Sequence, residues 1–316
     1  MNSTAAIVIG TRASKLALWQ TRHVHSLLKK HFPETEFEIK TITTTGDKIL
    51  DSPLAQIGDK GLFTKEIEIA LQAGEIDLAV HSLKDIPTEL PEGLKISAIL
   101  EREDPRDALV SKGGARIETL PPGASVATSS LRRRAQLLSY RPDLQIEDIR
   151  GNVDTRLRKL AKSDALSAIV LAKAGLVRMG LENRISQVLG TDVMLPAVGQ
   201  GALAVETREG DSRIIHFVSA LDHAPTRACV LAERTMLAAL EGGCQVPIGA
   251  LGRVENGRLC LEGVVASLQG SKAYRGFETG LIEQPEQLGR SLAARLLEMG
   301  ASQVLEEINL KFRCSR

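Results

Sequence analysis

Aromatic side chains are scarce in this chain: one Trp, two Tyr and six Phe make up 3% of its 316 residues. Single-stranded nucleic acid is held on stacked aromatic platforms, so that kind of partner has little to bind to here, and no helix-turn-helix or zinc signature offers another route. An excess of charge of one sign is missing too. Forty basic residues face thirty-nine acidic ones, a net charge of +1, which excludes a surface that grips a polyanion over its whole extent. The cysteines are few and widely spaced, Cys229, Cys244, Cys260 and Cys314, with no C-x-x-C pair; neither a metal site nor a disulfide framework is expected. No apolar run is long enough to span a bilayer, and the opening M-N-S-T-A-A-I-V-I-G-T-R lacks the basic and apolar segments of a signal peptide. The expectation is a cytoplasmic protein with no membrane and no nucleic acid among its partners.

What is present is apolar material for two or three cores, 43% hydrophobic residues. Short β-branched runs alternate with longer amphipathic stretches, the pattern of helices packed on a largely parallel sheet, so the fold class is α/β. Strands are expected at 7–9, 37–44 and 76–81, and a helix at 14–30 capped by Ser14. A second helix is expected with Phe63, Ile67, Ala70 and Leu71 on one face and Gly74 at its end. After the charged stretch E-R-E-D-P-R-D the alternation repeats as a βαβαβ unit: strands at 125–129, 146–150 and 168–171, helices at 131–139 and 153–161. L-P-A-V-G-Q-G-A-L-A-V-E carries the chain back to the first domain, and two crossings make a hinged cleft. Beyond Pro225 the pattern changes to a helix at 226–240, strands at 249–254 and 258–266, and a last helix aligning Leu288, Leu292 and Leu296. The division expected is domain 1 from 1–100 and 197–219, domain 2 from 101–196, and a small α+β domain 3 from 220–316.

The strand I-D-L-A-V-H-S runs into Lys84 and Asp85, placing a cation and a carboxylate past the carboxyl end of a strand, where ligands bind in open α/β sheets; alone, such a pair reads as a solvated salt pair. Between Thr128 and Arg158 lie seven arginines, Arg132, Arg133, Arg134, Arg141, Arg150, Arg156 and Arg158, in an otherwise nearly neutral protein. The first three open a helix after Thr128, Ser129 and Ser130, so free amides, hydroxyls and guanidinium groups could converge on one anion. Arginine suits carboxylates because its planar fork bonds them in pairs, although a wet helix face accounts for one or two of the seven. Arg12 and Ser14 occupy an equivalent strand-to-helix loop. Cys229 shares a helical face with Ala232, Met236 and Leu240 and reads as a packing residue. Cys260 sits in a strand pattern and Cys314 in a basic tail. Cys244, in E-G-G-C-Q-V-P-I-G, lies in a loop open to approach, and local sequence leaves nucleophile and bystander both standing.

Eight strings, T-R-A-S-K-L-A-L-W-Q, G-D-K-G-L-F-T-K-E, H-S-L-K-D-I-P, E-R-E-D-P-R-D-A, T-S-S-L-R-R-R, R-G-N-V-D-T-R-L, L-P-A-V-G-Q-G-A and E-G-G-C-Q-V-P-I-G, together resemble the porphobilinogen deaminase family, in its order and over nearly the whole chain. That resemblance implies three domains, the first two like a type II periplasmic binding protein, and a transferase that joins four porphobilinogen molecules into hydroxymethylbilane. It implies a dipyrromethane cofactor bound through a thioether to Cys244, and Asp85 as the catalytic carboxylate. The implied cofactor-binding residues are Lys84, Ser82, Asp47, Thr128, Ser129, Ser130, Arg132, Arg133 and Arg150. The implied substrate-binding residues are Arg12, Ser14, Gln20, Lys60, Arg150, Arg156, Arg178 and Gln200. A monomer is expected. Lys173 and Asp154 add charges at positions taken as variable, and Asp154 would weaken an arginine if it pointed inward. The rival is a non-enzymatic solute-binding protein of the same bilobal fold, which would need an export signal and would have no use for the Gly-Gly-Cys loop.

Overall fold

The structure is a computed structural model, and it describes residues 6–48, 61–240 and 246–313. The described residues group into two compact units, one of 6–48, 61–103 and 202–227, the other of 104–201, 228–240 and 246–313.

In the first unit, strands β1 (Ile7–Arg12), β2 (Phe37–Ile42), β3 (Leu78–Ser82) and β4 (Leu94–Ile99) are joined by β10 (Leu203–Arg208), in the order β2-β1-β3-β10-β4. β1 pairs in parallel with β2 and β3, whereas β10 runs antiparallel to both β3 and β4. The helix Lys15–His31 begins where Ser14 Oγ accepts a hydrogen bond from Ala17 N at 3.2 Å, a side-chain cap that satisfies an otherwise orphaned amide. Its buried residues Val24 and Leu28 pack with Ile7, Ile9, Leu78 and Val80 on one side of the sheet. The opposite side is covered by the helix Lys65–Gln72 through Ile67, Ala70 and Leu71. Phe63, expected in that helix, lies just before it.

The second unit holds two sheets. β5 (Asp107–Ser111), β6 (Ser125–Ala127), β7 (Gln145–Glu147), β8 (Ala168–Ala172) and β9 (Gln187–Val188) take the order β7-β6-β8-β5-β9, with β6, β7 and β8 parallel and β5 antiparallel to β8 and β9. This repeats the first sheet's plan: a parallel trio, then an antiparallel strand made directly after the chain crosses from the other unit. That doubled α/β layout is the one the periplasmic-binding-protein expectation called for. β7 stops at Glu147, so Arg150 sits in a loop rather than ending a strand. The second sheet, β11 (Ile248–Glu255), β12 (Arg258–Ala266) and β13 (Ala273–Gly280), is an antiparallel meander. Its core, with Cys229, Ala232, Met236, Leu261, Leu292, Leu296 and Ile308, is separate from that of the five-stranded sheet. Gly289 lets the helix Pro285–Leu296 press onto the helix Ala224–Ala239, because a Cβ there would lie 2.4 Å from Ala232 O. Among the described residues no helix is long and apolar enough to cross a membrane.

Candidate active site

Parallel strands end on a common edge, and Arg12, Ser82, Lys84 and Asp85 collect on it. Arg12 is the last residue of β1, and its guanidinium lies 4.2 Å from the centre of the Phe63 ring, a cation–π contact. Ser82 ends β3, and its Oγ accepts from the Nε2 of buried Gln20 at 2.8 Å, tying the first helix to that strand end. The chain then makes a single 3-10 turn, Leu83–Asp85, closed by Ile86 N donating to Leu83 O at 3.1 Å. Leu83 and Ile86 are buried and fix the turn from below, leaving Lys84 and Asp85 half-buried above it. Leu83 N donates to Ala202 O at 3.0 Å, which locks the turn to the start of β10. Among the described residues the Asp85 carboxylate accepts no hydrogen bond and makes no ion pair, so its charge is not spent on the fold. Asp47 lies in the short helix Thr45–Lys48 after β2, on the same edge, and its side chain lies outside the described residues. Lys60 and Cys244 lie outside them as well, as does Cys314.

The second unit repeats the arrangement. Thr128, Ser129 and Ser130 follow β6, and Asp148, Ile149, Arg150 and Gly151 follow β7. Each of the three hydroxyls holds backbone. Thr128 Oγ1 accepts from Ser130 N at 3.2 Å, Ser130 Oγ accepts from Arg133 N at 3.4 Å, and Ser129 Oγ donates to Ile149 O at 2.8 Å while accepting from Ile149 N at 3.1 Å. Ser129 thereby pins the loop that presents Arg150. Gly151 has φ of 106°, and a Cβ there would meet Thr155 Cγ2 at 2.6 Å, so only glycine makes this turn. Arg156 Nε donates to Gly151 O at 2.7 Å, which draws a second half-buried arginine to the same loop. Burial pulls the Arg150 guanidinium down from its ordinary value while Asp148 supports its charge. Asp154 is in the first turn of the helix Val153–Lys162, where the helix dipole favours a carboxylate.

Arg132 and Arg133 are placed differently from the expected anion cradle. Both are buried, and they converge on Asp107 inside the protein: Arg132 Nη1 donates to Oδ2 at 2.7 Å, and Arg133 Nη2 and Nε donate to Oδ1 at 2.7 and 3.1 Å. Their remaining donors go to Leu195 O and Val170 O. Gln200 Nε2 completes the set, donating to Asp107 Oδ1 at 2.9 Å and Pro105 O at 2.7 Å. Burial pushes the Asp107 carboxyl up, but the two guanidinium groups outweigh it and hold the acid well below the usual carboxylate range. Arg178, also buried, donates to Gly201 O at 2.5 Å. Arg141 pairs with Asp143, and Lys173 with Asp104 at 2.6 Å. Of the arginine concentration in the sequence, then, Arg150 stands on the strand-end loop and Arg156 bonds that loop from the following helix, while Arg132 and Arg133 brace the framework around Asp107. Asp107 escaped sequence reasoning because it stands in a charged stretch read as a boundary; the signal was an acid opening the apolar run D-A-L-V-S.

In each unit the cationic side chains at the strand ends suit a ligand bearing carboxylates. Residues 7–216 match the family model described as porphobilinogen deaminase, dipyromethane cofactor binding domain, and residues 227–298 match that of porphobilinogen deaminase, C-terminal domain. The porphobilinogen deaminase of Desulforudis audaxviator (strain MP104C) is 57% identical over 302 residues, 96% of this chain and 97% of that protein. That of Chlorobium phaeobacteroides (strain BS1) is 53% identical over 306 residues, 96% of this chain and 97% of that protein. Among solved structures, a YaeC-family lipoprotein of Enterococcus faecalis V583 is similar over 68% of this chain and 90% of its own, at 15% identity and a TM-score of 0.42. The periplasmic aliphatic sulphonate binding protein SsuA of Escherichia coli is similar over 75% of this chain and 70% of its own, at 16% identity and a TM-score of 0.39.

Proposed function

The chain belongs to the porphobilinogen deaminase family, and from that premise we propose that Asp85 is the carboxylate that drives its chemistry and Cys244 the residue that tethers its cofactor. The protein is a transferase of tetrapyrrole biosynthesis, a hydroxymethylbilane synthase, which joins four porphobilinogen molecules head to tail and hydrolyses the product free: four porphobilinogen and one water give hydroxymethylbilane and four ammonium ions. Its cofactor is dipyrromethane, which supplies the primer on which the chain grows.

The observation that carries the assignment of Asp85 is its position on a rigid turn past β3, half-buried and with no partner among the described residues. Loss of ammonia turns the substrate pyrrole into a cation. A carboxylate within about 4 Å of that cation contributes roughly 4 kcal/mol at an effective dielectric near 20, a rate factor of the order of a thousand. The same group can pass a proton to the departing amine and take one from the attacking ring carbon. Arg12, Lys84, Arg150, Arg156 and Lys60 bind the acetate and propionate groups of the pyrroles, with Ser14, Gln20 and Ser82 as further hydrogen-bonding groups; Asp47 accepts from a pyrrole N–H, and Gln200 acts through Asp107. Arg132, Arg133 and Arg178 serve that binding by holding the loops in place. The enzyme works as a cytoplasmic monomer without nucleic acid.

Asp85→Asn keeps the side chain's shape and removes its charge. It is expected to retain the parent's circular dichroism and thermal transition while turnover of porphobilinogen falls by about a thousandfold. Turnover close to the parent's would refute the role.

A further inference from the structure

Two buried acids and a histidine sit directly behind the Asp85 turn and have no part in the chemistry above. His81 is 5% exposed and Glu206 is 0% exposed; His81 Nε2 lies 3.0 Å from Glu206 Oε2. In the register of β3 with β10, Glu206 is opposite Ala79, and residues paired across a ladder share a face, so Glu206, Ala79 and His81 lie on the side covered by the helix Lys65–Gln72. From that helix comes Glu68, 6% exposed. Each acid has one buried oxygen, Oε1 of Glu68 and Oε1 of Glu206, that no donor reaches among the described residues. Buried acceptors of this kind are rare in folded proteins and call for an explanation.

We propose that His81 and Glu206, closed over by Glu68, form a positioning device for Asp85. The pair spans β3 and β10 at the point where β3 ends, four residues before Asp85. It adds a third restraint on the turn, beside the hydrogen bond that Leu83 N donates to Ala202 O and the buried Leu83 and Ile86 side chains. In this device Glu68 keeps its proton, and Glu206 Oε2 is left to His81. Two carboxylates in one dry site do not both ionise readily, and a proton on Glu68 turns an unreached acceptor into a donor. Consistent with this, burial raises the Glu68 carboxyl above its ordinary value and the neighbouring Glu206 raises it further, against opposing pulls from Thr64 and His81. Lys65 and Glu66 on the same helix, Arg12 at the end of β1 and Arg208 at the end of β10 are the other charged groups of these elements. Arg208 is spent on Leu71 O, Ile76 O, Asp77 and Asp211.

The proposal rests on Asp85 as the acting carboxylate, so the test keeps the two apart. On enzyme loaded with dipyrromethane, as checked by intact mass, Glu206→Gln is expected to leave KM for porphobilinogen within about twofold while lowering kcat at least about tenfold. His81→Gln, whose amide can still donate to Glu206, is expected to keep more kcat than His81→Ala. Infrared difference spectra between the parent and Glu68→Gln near neutral pH are expected to show the C=O stretch of a protonated carboxyl in the parent. Parent-like kcat in Glu206→Gln, equal losses in the two His81 variants, or a difference spectrum with carboxylate bands alone would each overturn it. An Asp85→Asn enzyme with parent-like turnover sinks the underlying reading instead; an inactive Asp85→Asn beside an unimpaired Glu206→Gln sinks this proposal alone.

Discussion

At the scale of single residues, the division of labour follows from what each charge touches. Asp107 and Asp85 are both acids beside strand ends, yet Asp107 is fully buried and bonded by Arg132, Arg133 and Gln200, whereas the Asp85 carboxylate is unbonded among the described residues. The account predicts opposite phenotypes. Asp107→Asn strands two buried guanidinium groups and is expected to cost about 3–5 kcal/mol of stability, read as a lower urea midpoint, and Asp85→Asn is expected to leave that midpoint where it was. Arg156→Lys tests the binding side. Lysine cannot reproduce the paired geometry of the guanidinium, so KM for porphobilinogen is expected to rise about tenfold at modest change in kcat; an unchanged KM would remove Arg156 from the binding set.

At the scale of elements, the sequence was most legible where pattern and capping agreed. The first helix, with Ser14 as its cap, and β12 lie where periodicity and alternation put them. β7 was drawn too long because I-E-D-I-R carries β-branched residues at both 146 and 149, whereas its pairing with β6 ends at Glu147 and Ser129 then takes over the Ile149 backbone. β13 left no mark in the sequence: A-Y-R-G-F-E-T-G is an edge strand with Phe277 exposed and Gly276 its one buried residue, so apolar alternation is missing. The helix Ser212–Ser219 went unassigned although Asp211 caps it through Ile214 N at 3.1 Å. At the candidate site, the strings around Asp85 and Arg150 located the strand-end loops. The inward turn of Arg132 and Arg133 was hidden because a sequence shows their charge but not which helix face meets the sheet.

At the scale of the whole molecule, each unit carries a five-stranded sheet of one plan, and the second unit also carries the C-terminal meander. The three-domain division, with 220–316 as the third, remains our proposal on the ground that this segment has a sheet and a core of its own. Two buried acids give stability opposite pH dependences. Asp107 is held below its unfolded value of 3.8, so its contribution is present above that pH and is lost as pH falls through the folded value. Glu68 is raised above 4.5, so its contribution is present below that pH and is lost as pH rises through the folded value. Urea unfolding across a pH series is therefore expected to show Glu68→Gln gaining on the parent as pH climbs above 4.5; a constant difference would contradict the buried, protonated acid. The central claim, a transferase that grows its product from a primer on its own cysteine, meets its most direct test in intact mass spectrometry of the purified parent and Cys244→Ser. The account predicts a dipyrromethane adduct on the parent and none on the variant, and an adduct of the same mass on both would contradict it.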